Sequence, residues 1–255
     1  MTALDFTPAP GAAAFHRMVL AQAGAEARAI LRNGEQLLLT LIIPVLLLVG
    51  FSLAPLVDVG AGSRVGFLAP GVLALAVMST AFTGQAIATG FERRYGVLKR
   101  LGATPLSRAG LLLAKTAAVV AVELLQAAVI VVVALLLGWR PHGSLAAAVL
   151  LVLLGTAAFS GLGLLMAGVL RAEATLAGAN LVYLVLLGCG GVVFPLSVFP
   201  DGVEPVLGLL PISALTGGLR AVLTDGAALP LGAVAVLVVW AALTLGLASR
   251  TFRWE

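Results

Sequence analysis

Glu123 is the one acidic residue inside a long apolar run, 109–138, and Lys115 stands two helical turns before it. Counted from Arg108 at 1.5 Å per residue, Glu123 lies roughly 20 Å along a helix. A carboxylate at that depth must face the helix bundle and find a partner or a proton. Two readings follow. Glu123 is a cation or proton contact on a polar path through the membrane, or it is a structural hydrogen bond to another helix through Gln126, Asn180 or Tyr183. Lys115 is expected to send its stem toward the headgroups. The remaining reactive residues exclude several chemistries. There is one cysteine, Cys189, and there are two histidines, His16 and His142, both outside the apolar runs. No metal-ligand cluster, no membrane-embedded Ser–His pair and no intramembrane aspartate pair is present, so a metalloenzyme or an intramembrane protease is not expected. The two lysines, Lys99 and Lys115, do not follow glycine, so the chain has no phosphate-binding G-x-x-x-x-G-K-[ST] loop. We therefore expect no catalytic residue, no metal and no cofactor in this chain.

The elements that position these residues are apolar helices. The 255 residues are 61% hydrophobic and 10% charged, with a mean hydropathy of +1.15. Soluble domains carry roughly 25% charged residues, and no soluble core of this length hides so much apolar surface. An ordinary soluble enzyme, a disordered chain and a disulfide scaffold are excluded. A helix crosses the hydrocarbon with about 20 apolar residues. Runs at 36–57, 66–90, 109–138, 143–170, 174–200 and 227–249 meet that length, and together they predict an all-α membrane protein with six transmembrane helices in a single domain, 1–255. Residues 205–219 are uncharged but short and broken by Pro211, Gly217 and Gly218. With 194–200 they are expected to form a re-entrant hairpin after the fifth helix, within an outer segment and loop 194–225. A crossing by 205–219 would instead make seven spans and move the C-terminus to the other side.

Charge placement orients the chain. With six spans, twelve of the fifteen Lys and Arg residues share the side of both termini, and only Arg64, Arg140 and Arg220 lie on the other. Positive charge is retained inside, so both termini of this multi-pass protein are expected in the cytoplasm. The first 36 residues hold no apolar leader core. Residues 15–32 instead pattern as a helix with Phe15, Val19 and Ile30 on one side and Arg17, Arg28 and Arg32 on another. Glu26 interrupts the apolar face. Residues 1–35 are thus expected to carry a cytoplasmic interfacial helix on the inner leaflet. Within the spans, Ser79, Thr83 and Gln85 on the second and Asn180 and Tyr183 on the fifth are candidates to line a substrate path together with Glu123. Ala157, Gly161 and Gly163 permit close helix packing.

The densest charge cluster falls between the second and third runs, at 91–108. Its core reads Glu92, Arg93, Arg94, Tyr95, Gly96, Val97, Leu98, Lys99, Arg100, Leu101. Positive charge alone would hold a loop inside. It does not account for Tyr95, Val97, Leu98 and Leu101, which suit a short amphipathic helix docking on a cytoplasmic partner with a basic rim. Thr104-Pro105 then stops that helix.

This stretch, followed by Ala103, Thr104, Pro105 and Leu106, resembles the first cytoplasmic loop of ABC-2 type exporter permeases. Leu31, Arg32, Asn33, Gly34 and Glu35 followed by Ile43-Pro44 are similar to the start of that family's first span. Phe194-Pro195, Phe199-Pro200, Leu210-Pro211 and Gly218-Leu219-Arg220 resemble its segment after the fifth span, and the pattern is closest to the drug- and antibiotic-export branch. The resemblance implies that Glu92 through Leu101 form a coupling helix seated on an ATP-binding subunit. It implies two copies of that subunit, which would bind ATP and Mg, and a second permease subunit, identical or homologous. Nucleic acid is not an expected partner; the lipid bilayer is. The aliphatic spans suit a hydrophobic or amphipathic substrate, drug, antibiotic or lipid-like, moved outward. The alternatives are an ion-gradient-driven carrier using Glu123 and a non-transporting scaffold.

Overall fold

The computed structural model describes residues 11–54, 63–200 and 202–251, with 35–39 described by their helical backbone alone. The described chain is helical throughout: α1 Phe15–Arg32, α2 Gly34–Leu53, α3 Arg64–Val77, a π-helical segment Met78–Gly84, α4 Gln85–Arg94, α5 Val97–Gly102, α6 Arg108–Leu136, α7 Leu145–Val169, α8 Ala172–Cys189, a 3-10 turn Leu196–Val198, α9 Glu204–Gly208, α10 Pro211–Leu223 and α11 Leu231–Thr251. The π segment joins α3 and α4 into one continuous helix, Arg64–Arg94.

The span count corrects the expectation of six. Among the described residues five helices are long and apolar enough to cross a membrane: Arg64–Arg94, Arg108–Leu136, Leu145–Val169, Ala172–Cys189 and Leu231–Thr251. The run at 36–57 makes the difference. There the helical backbone runs Gly34–Leu53, and the apolar helix among the fully described residues is Thr40–Leu53, below the length of a span. Pro44 lies inside that helix and removes a backbone donor there. Residues 55–57 lie outside the described residues. The placement of both termini on one side rested on the count of six and falls with it.

Serine starts three of the five spans. Ser63 Oγ accepts from the Gly66 amide at 3.0 Å, Ser107 Oγ from Gly110 at 3.1 Å and Ser144 Oγ from Ala147 at 3.3 Å, each satisfying an amide that the helix leaves without a partner. α7 is the hub. It packs against α11, α4, α10 and the π segment. Small residues set these approaches: a methyl group on Gly161 would strike Thr244 and the Leu245 amide of α11, and one on Gly163 would meet the Phe82 carbonyl of the π segment. Thr244 Oγ1 bonds across to the Ala158 carbonyl at 3.1 Å.

The 194–225 segment contains the 3-10 turn, α9 and α10. Pro211 is the first residue of α10, where its missing N–H costs nothing. α10 has 13 residues and buries most of them against α3, α7 and α11. Arg220 fastens it. Its Nε donates to the Phe67 carbonyl at 2.9 Å, its guanidinium donates to the Val192 carbonyl at 2.8 Å, and it lies 3.5 Å from the centroid of the Phe67 ring. One side chain therefore ties α10 to α3 and to the turn that follows α8.

Candidate coupling end and membrane cleft

The segment 91–108 is built by two breaks in a helix. α4 closes at Arg94, and Gly96 takes φ +70°, a left-handed conformation that side chains disfavour. This turns the chain into α5. Thr104 Oγ1 donates to the Leu101 carbonyl at 2.6 Å and accepts from the Leu106 amide at 3.4 Å, ending α5 at the Thr-Pro pair. Ser107 then caps α6.

The residues proposed from sequence as anchors divide between two surfaces. Leu98 is 0% exposed and packs with Leu106, Leu111, Leu112, Leu164 and Ala248 of this same chain, with Leu101 partly buried beside it. Val97 is half-buried. Tyr95 is 68% exposed, and Lys99 and Arg100 are exposed as well. Leu98 thus seats α5 on the bundle, while Tyr95, Lys99 and Arg100 point away from it.

The charges before Gly96 are used internally. Arg93 donates to the Gly168 carbonyl at 2.7 Å and to the Leu170 carbonyl, closing the C-terminal end of α7, where carbonyls lack helical partners. Arg94 pairs with Glu173 in the first turn of α8 and lies over the Tyr95 ring, which stacks on Phe91. Glu92 meets Lys115. The Lys115 ammonium is 2.6 Å from the Glu92 carboxylate and 3.0 Å from that of Glu26 on α1, and Lys115 is 3% exposed. Lys115 does not reach for headgroups. It holds α1, α4 and α6 together. Glu26, which interrupts the apolar pattern of α1, does so because that face packs on α6.

The polar residues inside the membrane, expected to share one path, occupy three places. Asn180 and Tyr183 of α8 line a cleft of about 630 Å³ with Ser79 and Thr83 of the π segment and with Ile43, Ile87, Phe91 and Leu176. Gln85 turns into a smaller cavity of about 180 Å³ beside Thr89, Glu26, Glu92 and Lys115. Its amide oxygen and nitrogen and the Thr89 hydroxyl have no hydrogen-bond partner among the described residues. Glu123 lies elsewhere again, between α6 and α7, where Thr156 Oγ1 is 2.5 Å from its Oε2. Gln126, one turn on, hydrogen-bonds to Thr80 at 2.9 Å and donates to the Thr40 carbonyl at 3.2 Å.

Sequence reasoning missed the Glu26–Lys115–Glu92 triad, the Arg220 clamp and the π segment. The first joins residues 89 positions apart and carries no local pattern. The second left a trace, the one Lys or Arg in the outer segment 194–225. Among the described residues no group of three His, Cys, Asp or Glu side chains is placed to hold a metal ion.

Comparison with known proteins adds one finding. The family model described as ABC-2 type transporter matches residues 19–224 of the 255. A search of curated proteins gave no match.

Proposed function

The chain belongs to the ABC-2 type transporter family, and from that premise we propose that it is the membrane subunit of an ATP-driven exporter of hydrophobic or amphipathic compounds. It is a multi-pass membrane protein and a non-catalytic permease domain, and membership of this family implies an ATP-binding partner subunit. The finer reading is ours. The partner would be present in two copies, bind ATP with Mg and seat the segment Glu92–Leu101. A second permease, identical or homologous, would complete the complex in the plasma membrane of a bacterium.

The observation that carries this reading is the division of labour within 91–101. Leu98 is committed to the chain's own core, so a displacement of α5 is transmitted to α6 and α7. Tyr95, Lys99 and Arg100 remain free to meet a partner, an aromatic anchor with two cations around it. Glu92 passes the same displacement to Lys115 and α1. The cleft between the π segment and α8 supports an amphipathic cargo: Ser79, Thr83, Asn180 and Tyr183 offer hydrogen bonds among Ile43, Ile87, Phe91 and Leu176. Sites for such ligands are mostly apolar with a few placed polar groups. π-helical segments are frequent at functional sites, and this one forms a wall of the cleft.

A photo-crosslinker at position 95 in native membranes tests the coupling. Capture of an ATP-binding subunit is the expected result, with capture lost when the crosslinker is moved to position 98. Failure at position 95 in an assembled, ATP-hydrolysing complex would remove the basis for the proposal. An ion-gradient-driven carrier is distinguished by collapsing the gradients while ATP is maintained. Transport is expected to continue.

A further inference from the structure

A second cavity, about 230 Å³, lies between α3, α6, α7 and α10, and none of its lining residues belongs to the cleft. Its walls are apolar: Leu73, Val131, Val149, Val152 and Leu219, with Trp139 near one end. Leu124, Leu145, Val149 and Leu153 line it and are exposed on the outer faces of α6 and α7, so within a membrane it is flanked by side chains that meet acyl chains. One charged side chain lines it, Glu123, 4% exposed. No Lys or Arg lines it.

Glu123 is short of donors. Among the described residues its Oε1 has no hydrogen-bond partner. Its Oε2 meets only the Thr156 hydroxyl, whose single proton is also directed to the Val152 carbonyl at 2.9 Å. An ionised carboxylate offers about four acceptor sites, and leaving them unmet in an apolar setting is costly. Helix packing alone would place a leucine here. Calcium or magnesium does not fit, because each takes six or more oxygens. An acyl chain would fill the walls and leave Oε1 as it is.

We infer that this cavity binds a lipophilic organic amine, its ammonium on Glu123 and its hydrocarbon body along Val131, Val149 and Val152 toward Trp139. The ammonium supplies three donors and a matching charge. The walls supply the apolar contact, and the flanking aliphatics offer a route in from the bilayer. The site is independent of ATP coupling and of the cleft, so binding is measured on the purified chain.

Trp139 provides the readout. The full chain carrying Trp240→Phe and Trp254→Phe, in nanodiscs of neutral lipid, is titrated with 10-bromodecylamine and separately with 10-bromodecanol. Bromine quenches the indole on contact. Saturable quenching by the amine is expected, with the alcohol at least about tenfold weaker, the worth of one charge-assisted hydrogen bond. Glu123→Gln, which keeps an acceptor for Thr156, is expected to weaken the amine about tenfold and leave the alcohol unchanged, and Glu123→Asp to retain the preference for amine. Equal quenching by the two compounds, no saturable quenching by the amine, or an amine affinity untouched by Glu123→Gln would overturn the assignment. The comparison of amine with alcohol on the unsubstituted Glu123 needs no variant at that position, so a folding defect of Glu123→Gln does not blunt the test.

Discussion

Lys115 stands 2.6 Å from Glu92, and that contact joins α6 to the first residue of the segment proposed to meet the ATP-binding partner. Glu26 reaches the same ammonium at 3.0 Å. Two carboxylates share one cation, the one Lys or Arg paired with them among the described residues. Removing one partner of a buried pair leaves an uncompensated charge and costs about 3–5 kcal/mol, whereas replacing the whole set with neutral groups is often close to neutral.

Lys115→Met is therefore expected to destabilise the chain by about 3–5 kcal/mol. Adding Glu26→Gln and Glu92→Gln to Lys115→Met is expected to recover most of that loss. Equilibrium unfolding in mixed micelles checks both. A triple variant no more stable than Lys115→Met would show that charge pairing is not what the triad contributes.

Leu98 and Tyr95 are neighbours with opposite consequences. Leu98→Ala removes a fully buried side chain and is expected to cost about 2–5 kcal/mol of stability. Tyr95→Ala with Lys99→Glu and Arg100→Glu touches exposed positions. It is expected to leave the melting temperature within a few degrees of the parent and to lower ATP-driven transport by the complex about tenfold or more, since truncated anchors and reversed rim charges weaken docking. Parallel melting curves and transport assays separate the two effects.

Gly161 and Gly246 make a matched pair. A methyl at 161 strikes α11, whereas a methyl at 246 meets nothing within 4 Å. Gly161→Ala is expected to cost about 1–3 kcal/mol by forcing α7 and α11 apart. Gly246→Ala is expected to be neutral or slightly stabilising, because alanine favours the helix by roughly 1 kcal/mol over glycine. Unfolding midpoints of the two variants provide the comparison, and equal midpoints would contradict the packing described.

Arg220→Lys keeps the charge of the α10 clamp but loses the guanidinium fork that reaches the Phe67 and Val192 carbonyls together. A lysine is a point donor and cannot stack on the Phe67 ring in the same way. The change is expected to cost about 1.5–3 kcal/mol, the worth of one hydrogen bond to a charged group, and to raise hydrogen exchange in α10 above that in α11. Exchange that rises uniformly across the molecule would argue against a local clamp.

What the sequence made legible was local. The stop at Thr104-Pro105, the short helix before it and the small-residue contacts of Gly161 and Gly163 follow from residues read in place. Asn180 and Tyr183 are three positions apart on one helix, and they line one cleft. Gln85 and Glu123 were grouped with them because all four are polar within apolar runs, but polarity gives no direction. Which way Gln85 turns depends on the π segment just before it, which packs on α7. The partners of Glu26 and Lys115 lie far off in sequence, so Glu26 read as a flaw in α1 and Lys115 as a side chain bound for the headgroups. At 36–57 the uncharged run is longer than the apolar helix found there among the described residues, Thr40–Leu53.

The π segment Met78–Gly84 also governs the azimuth of everything after it. Each of its turns takes in more residues than an ordinary one. Were the same seven residues wound at the common α pitch instead, 85–94 would swing by about 100°, one residue's step, about its axis. Glu92 would then face away from Lys115, Arg93 would leave the end of α7, and Gln85 would exchange its cavity for another surface. Seven residues in mid-membrane thereby fix the clocking of a contact surface that begins at Tyr95, more than ten residues downstream.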